Sequence, residues 1–83
     1  MVVGDLFFRH SNGKEDKVAS NVPWDRCVGA ALDDLHKKNP KYQSYYQRLN
    51  KVVQDGKERF WIDVGSWSEF YIWEKTGSVP DDQ

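Results

Sequence analysis

The sequence predicts an α+β fold: a small antiparallel sheet in β-β-α-α-β-β order with two helices packed on one face. Three observations predict it. Segments rich in β-branched and aromatic residues stand near both ends of the chain, each broken by a turn signal. Apolar residues in the middle recur at helical spacing. And 83 residues, 39% of them hydrophobic, suffice for one core but not for two.

Val2 to His10 reads as the first strand, and the consecutive Leu6, Phe7 and Phe8 imply burial on both of its faces. Ser11-Asn12-Gly13-Lys14 is the hairpin turn, because Asn and Gly both tolerate positive φ. Asp16 to Val22 returns as a short edge, with only Val18, Ala19 and Val22 apolar. Pro23 suits a first helical position, where no backbone N–H is needed. Trp24, Cys27, Val28, Ala31, Leu32 and Leu35 then form one helical stripe. Asp33–Lys37 and Asp34–Lys38 are acid-first i,i+4 pairs. Asn39-Pro40 ends the helix, since a residue before proline resists helical angles.

Tyr42, Tyr45, Tyr46, Leu49, Val52 and Val53 continue the helical period and predict a second helix, with Gly56 as its stop. Phe60, Ile62 and Val64 alternate with Trp61 and Asp63, which is strand period. Gly65-Ser66 fits a tight turn, and Trp67 to Trp73 returns as a strand. Ser66-Trp67-Ser68-Glu69 also matches a capping box that would open a short helix, but Phe70-Tyr71-Ile72-Trp73 is β-prone and favours the strand. Residues 1–75 form a single domain on this reading, and 76–83, with Gly77, Pro80 and two Asp, a frayed acidic tail.

The net charge is −1, unevenly spread. Residues 1–35 carry −2, residues 36–59 carry +5 and residues 60–83 carry −4. Near-neutrality argues against a dedicated nucleic-acid protein, which is usually basic throughout. No stretch approaches the roughly 18 apolar residues of a membrane span. The N-terminus lacks the cationic start and apolar run of a secretory signal. With a single cysteine there is no internal disulfide, so a reducing, cytoplasmic setting is expected.

Nucleophilic, metal and acid–base chemistry find little support in the residue pattern. Cys27 lies on the apolar stripe, half a turn of the helix away from His36, and reads as a small buried hydrophobe. Asp33 and His36 offer two metal ligands, which do not make a site, and no cofactor is expected. Asp33 and Asp34 diverge by about 100° on a helix. Asp63, in the middle of an aromatic strand, is expected either to face solvent or to pair with Arg59 or Lys75. A small nuclease built from His10, Arg59 and tyrosines is the one enzymatic assembly weighed, and the chain is read as non-enzymatic.

The aromatic content is the anomaly. Four Trp, four Tyr and four Phe are more than so small a domain can hide. With a turn at Gly65-Ser66, Phe60, Trp67, Tyr71 and Trp73 share one hairpin face, and Trp61 and Phe70 share the other. One set must point away from the helices, and exposed aromatics mark binding surfaces. The expected function is therefore a small protein-interaction module, of the inhibitor or adaptor kind that phages and bacterial mobile elements employ. It would bind a larger protein through Trp61, Trp67, Tyr71 and Trp73, with Glu69 in the polar rim. A homodimer is the other cover for such a face. The alternative is nucleic-acid binding by Lys37, Lys38, Lys41, Arg48 and Lys51 around the helix–helix corner.

Overall fold

A computed structural model of the chain describes residues 1–41, 48–65 and 68–79. Five strands form one antiparallel sheet: β1 (Val2–Arg9), β2 (Glu15–Pro23), β3 (Arg48–Gln54), β4 (Lys57–Asp63) and β5 (Phe70–Ser78). Their spatial order is β2-β1-β5-β4-β3. One helix, α1 (Cys27–Lys38), follows a single 3₁₀ turn at Trp24–Arg26 and packs on one face of the sheet. No helix among the described residues is long and apolar enough to cross a membrane.

Among the described residues the two-helix layer is thus corrected to one helix on a five-stranded sheet. Of the expected second helix, Tyr42, Tyr45 and Tyr46 lie outside the described residues, while Leu49, Val52 and Val53 belong to β3. The physical reason sits just after them. Asp55 (φ 53°) and Gly56 (φ 77°) are both left-handed, which is a two-residue hairpin turn rather than a helix stop. With β4 fixed by its alternation, that turn folds 48–54 back on it, from Gln54↔Lys57 to Arg48↔Asp63, with no irregularity.

The first hairpin forms with a longer loop than expected. The Gly13 N–H donates to the His10 carbonyl and Gly13 is left-handed (φ 91°), as in a three-residue loop with a bulge. The second aromatic hairpin also forms, pairing Ile62 with Tyr71. That register lies two residues from the one a Gly65-Ser66 turn would set. An even shift leaves the described side chains, Phe60, Tyr71 and Trp73 on one side and Trp61 and Phe70 on the other, on their expected faces. The tail reading is corrected in part: Thr76 to Ser78 extend β5, and Val2↔Ser78 and Val3↔Gly77 are paired.

The core lies between α1 and the sheet. Cys27, Ala31 and Leu35 of the helix meet Leu6, Phe8, Ile62, Val64, Tyr71 and Trp73. The Trp73 indole N–H donates to the buried Val22 carbonyl at 2.9 Å, tying β5 to β2 across β1. Gly4 lets strands β1 and β5 meet closely, since a Cβ there would stand 2.7 Å from the Trp73 ring. The opposite face is closed by charge. Glu15 accepts from Arg9 at 2.9 Å and from Arg59 at 2.5 Å, and the Arg59 Nε lies 3.3 Å from Glu74, an ionic contact without hydrogen-bond alignment.

Candidate functional site

A sheet with two free edges exposes two rows of backbone donors and acceptors, and natural proteins blunt such edges. The β2 edge is blunted. Its register against β1 breaks on both sides of Leu6, Asn21 takes a left-handed conformation (φ 54°), and the strand ends in Pro23. The β3 edge carries no proline and no bulge, and all seven of its residues are exposed.

The turn determines which of its backbone groups face outward. A two-residue turn is closed by a hydrogen-bonded pair, here Gln54 and Lys57. Alternation then aims the N–H and C=O of Gln54, Asn50 and Val52 at β4 and those of Leu49, Lys51 and Val53 away from it. Among the described residues no strand takes up this outer row.

Apolar side chains stand beside that row on either side of Lys51. Leu49 (42% exposed) and Val53 (63%) stand on the helix-bearing face, diagonal to Phe60, which is opposite Lys51. The Trp24 ring packs on Phe60 at 4.4 Å between centroids, yet remains 39% exposed. Val52 is exposed on the other face. The result is a strip of Trp24, Phe60, Leu49 and Val53 that the helix leaves uncovered. Charge interrupts it: Lys51, between Leu49 and Val53, lies 3.6 Å from Glu58, which also meets Lys75 at 3.9 Å.

The residues expected to bind a protein fall elsewhere. Tyr71 and Trp73 are core residues, wholly buried under α1, and offer no surface. Trp61 lies on the opposite face, half-buried, against Phe70 (5.3 Å) and beneath the Arg9 guanidinium (4.9 Å). Its indole N–H is buried and finds no acceptor among the described residues. Glu69 is half-buried and lines a cleft; Trp67 lies outside the described residues. The proposed basic corner is also dispersed. Lys37 and Lys38 close the last turn of α1, Lys41 follows it, and Arg48 and Lys51 point to opposite faces of β3.

That cleft, about 420 Å³, has Phe8, Leu35, Val64 and Tyr71 as apolar walls and His10, Lys38 and Glu69 at its margin. Two of its side chains converge on Asp34. The Tyr71 hydroxyl donates to Asp34 at 2.6 Å, and Lys38 meets the same carboxylate at 2.9 Å. Burial works against the Asp34 charge, but these two bonds outweigh it and hold the carboxyl below its ordinary value. The Tyr71 hydroxyl is pushed well above the usual tyrosine range, first by burial and then by Asp34. His10 pairs with Asp16 at 2.7 Å and Arg59 with Glu15 on the far face, so these two are not brought together, and Tyr42, Tyr45 and Tyr46 lie outside the described residues. Cys27 is buried, and desolvation raises its thiol pKa, which disfavours a thiolate.

The β3 signal was present in the sequence as Asp55-Gly56, a turn dipeptide equal in strength to Asn12-Gly13. No family model matches the chain, and the searches of curated proteins and of solved structures found no match.

Proposed function

We propose that this chain is a non-enzymatic protein-interaction module that receives an extended segment of a larger protein along the β3 edge. The observation that supports it is the contrast between the two edges: β2 is irregular and ends in proline, whereas β3 is continuous, exposed and flanked by Leu49, Val53, Phe60 and Trp24. An added strand would gain main-chain hydrogen bonds from Leu49, Lys51 and Val53 and apolar contact from the strip.

Val53→Pro tests this reading. Proline removes one outward N–H and leaves the β3–β4 ladder intact, because the Val53 N–H does not point at β4. Tagged wild type and variant are used to capture partners from lysate of the source cells with and without nuclease. The expected result is a stoichiometric protein bound by the wild type and lost from a folded Val53→Pro. Equal capture by both, or capture that disappears with nuclease, overturns the proposal.

A further inference from the structure

We infer that the segment seated on β3 is an acidic and aliphatic strand from a different protein, and that Lys51 turns away a second copy of this chain. The inference rests on the strand-docking reading above and identifies its partner by chemistry.

Self-pairing is the obvious alternative, because an exposed strand can meet itself about a two-fold axis. The register decides against it. An antiparallel copy that uses all three outward residues must be centred on Lys51, giving Leu49 opposite Val53 on both sides and Lys51 opposite Lys51. The flanking pairs are favourable, but the central one sets two ammonium groups side by side on one face, which is destabilising. Sliding by one residue to centre on Val52 or Asn50 removes the clash, but keeps only two of the three outward hydrogen-bonded pairs. A charged residue in the middle of an edge strand is a known guard against such pairing.

The same lysine invites an anion. Glu58 is shared between Lys51 and Lys75 at 3.6 and 3.9 Å, all three partly exposed, so Lys51 is only loosely neutralised. Arg48, on the other face of the strand, stands at the opposite end of the row. An incoming antiparallel strand fits best with aliphatic residues opposite Val53, Val52 and Leu49 and carboxylates opposite Lys51 and Arg48. Read along the partner, that is aliphatic, aliphatic, acidic, polar, aliphatic, acidic.

Two labelled peptides test this with the full-length protein. One carries Val-Val-Glu-Thr-Val-Glu between Gly-Ser flanks; the other has lysine for both glutamates. Binding is followed by fluorescence anisotropy, and oligomeric state by sedimentation velocity. The wild type should be monomeric and prefer the acidic peptide about tenfold, the effect of turning two attractive cross-strand pairs repulsive. Lys51→Glu should reverse part of that preference, and Lys51→Val should dimerise. Equal binding of both peptides, abolished by Val53→Pro, would overturn the charge selection and leave strand docking standing. A dimeric wild type that binds neither peptide would make the second copy the occupant and overturn the inference. A monomer that binds neither peptide, with lysate capture untouched by Val53→Pro, would overturn both readings. So would an oligothymidylate that binds as tightly as the acidic peptide, since the lysines would then follow phosphates.

Discussion

Tyr71 shows how one side chain is bound to two tasks. Its ring fills the core between Phe8 and the helix, and its hydroxyl reaches the helix surface to donate to Asp34. Lys38 completes the group, bonding Asp34 and lying 3.8 Å from the centre of the Phe8 ring. Replacing the hydroxyl by hydrogen in Tyr71→Phe keeps the packing and deletes a bond to a charged acceptor. A loss of about 1.5–3 kcal/mol is expected in urea unfolding at pH 7. The pH dependence has a definite sign. The folded hydroxyl is harder to ionise than the unfolded one, so its contribution is intact below about pH 10 and is lost as the pH rises further. The gap between wild type and Tyr71→Phe should therefore narrow at pH 11. A constant gap would mean that the hydroxyl does not stay protonated in the folded state.

At the scale of elements, the β3–β4 hairpin stands apart. It hangs on a turn rather than on burial, since β3 contributes nothing to the buried core. Gly56 holds φ 77° with nothing near a would-be Cβ, so Gly56→Ala meets only backbone strain, about 1–2 kcal/mol. Hydrogen exchange should accelerate in the β3–β4 ladder while Leu6, Ile72 and Trp73 stay protected. Uniform acceleration across all strands would show that β3 is no separable unit. This hairpin is also where the sequence misleads. Leu49, Val52 and Val53 continue the spacing of Tyr42, Tyr45 and Tyr46, so the helical period runs unbroken through residues that fold as a strand. Two β-branched residues and Asp55-Gly56 argued the other way. Periodicity cannot weigh a local turn against a pattern of six residues, and pairing with β4 made the choice. The β4–β5 aromatic hairpin was legible because alternation survives a register change of two.

At the scale of the whole molecule, the charged face holds the sheet in shape. Arg59 on β4 bonds Glu15 on β2 across the two intervening strands, although strand spacing alone would separate them by about 14 Å in a flat sheet. The sheet must coil toward this face for the side chains to meet, with Phe7 and Ile72 beneath them. The Arg59 bond holds the Glu15 carboxyl below its ordinary value in spite of burial, and Arg9 adds to the effect. Arg59→Met would leave Glu74 unpaired and Glu15 with Arg9 alone. The Arg59 side chain is 13% exposed, so a loss of about 2–3 kcal/mol is expected at pH 7, just under the range for fully buried pairs. Glu15 contributes above the unfolded carboxylate value of about 4.3, and its share is lost as the pH falls through the lower folded value. The gap between the two proteins should therefore narrow as the pH falls below about 4. A gap that stays constant from pH 7 down to acid unfolding would exclude this linkage.

By itself the sequence determined the local and alternating features: the β1 core strand, the α1 stripe, and the two faces of the β4–β5 hairpin among the described residues. Each follows from neighbours a few residues apart, whose steric and hydrophobic preferences need no distant partner. Tertiary structure decided the fate of 48–54, the burial of Tyr71 and Trp73, the Arg59–Glu15 bond across the sheet, and which edge was left open. Those depend on strand order, and strand order is set by which surfaces find each other once the chain has closed.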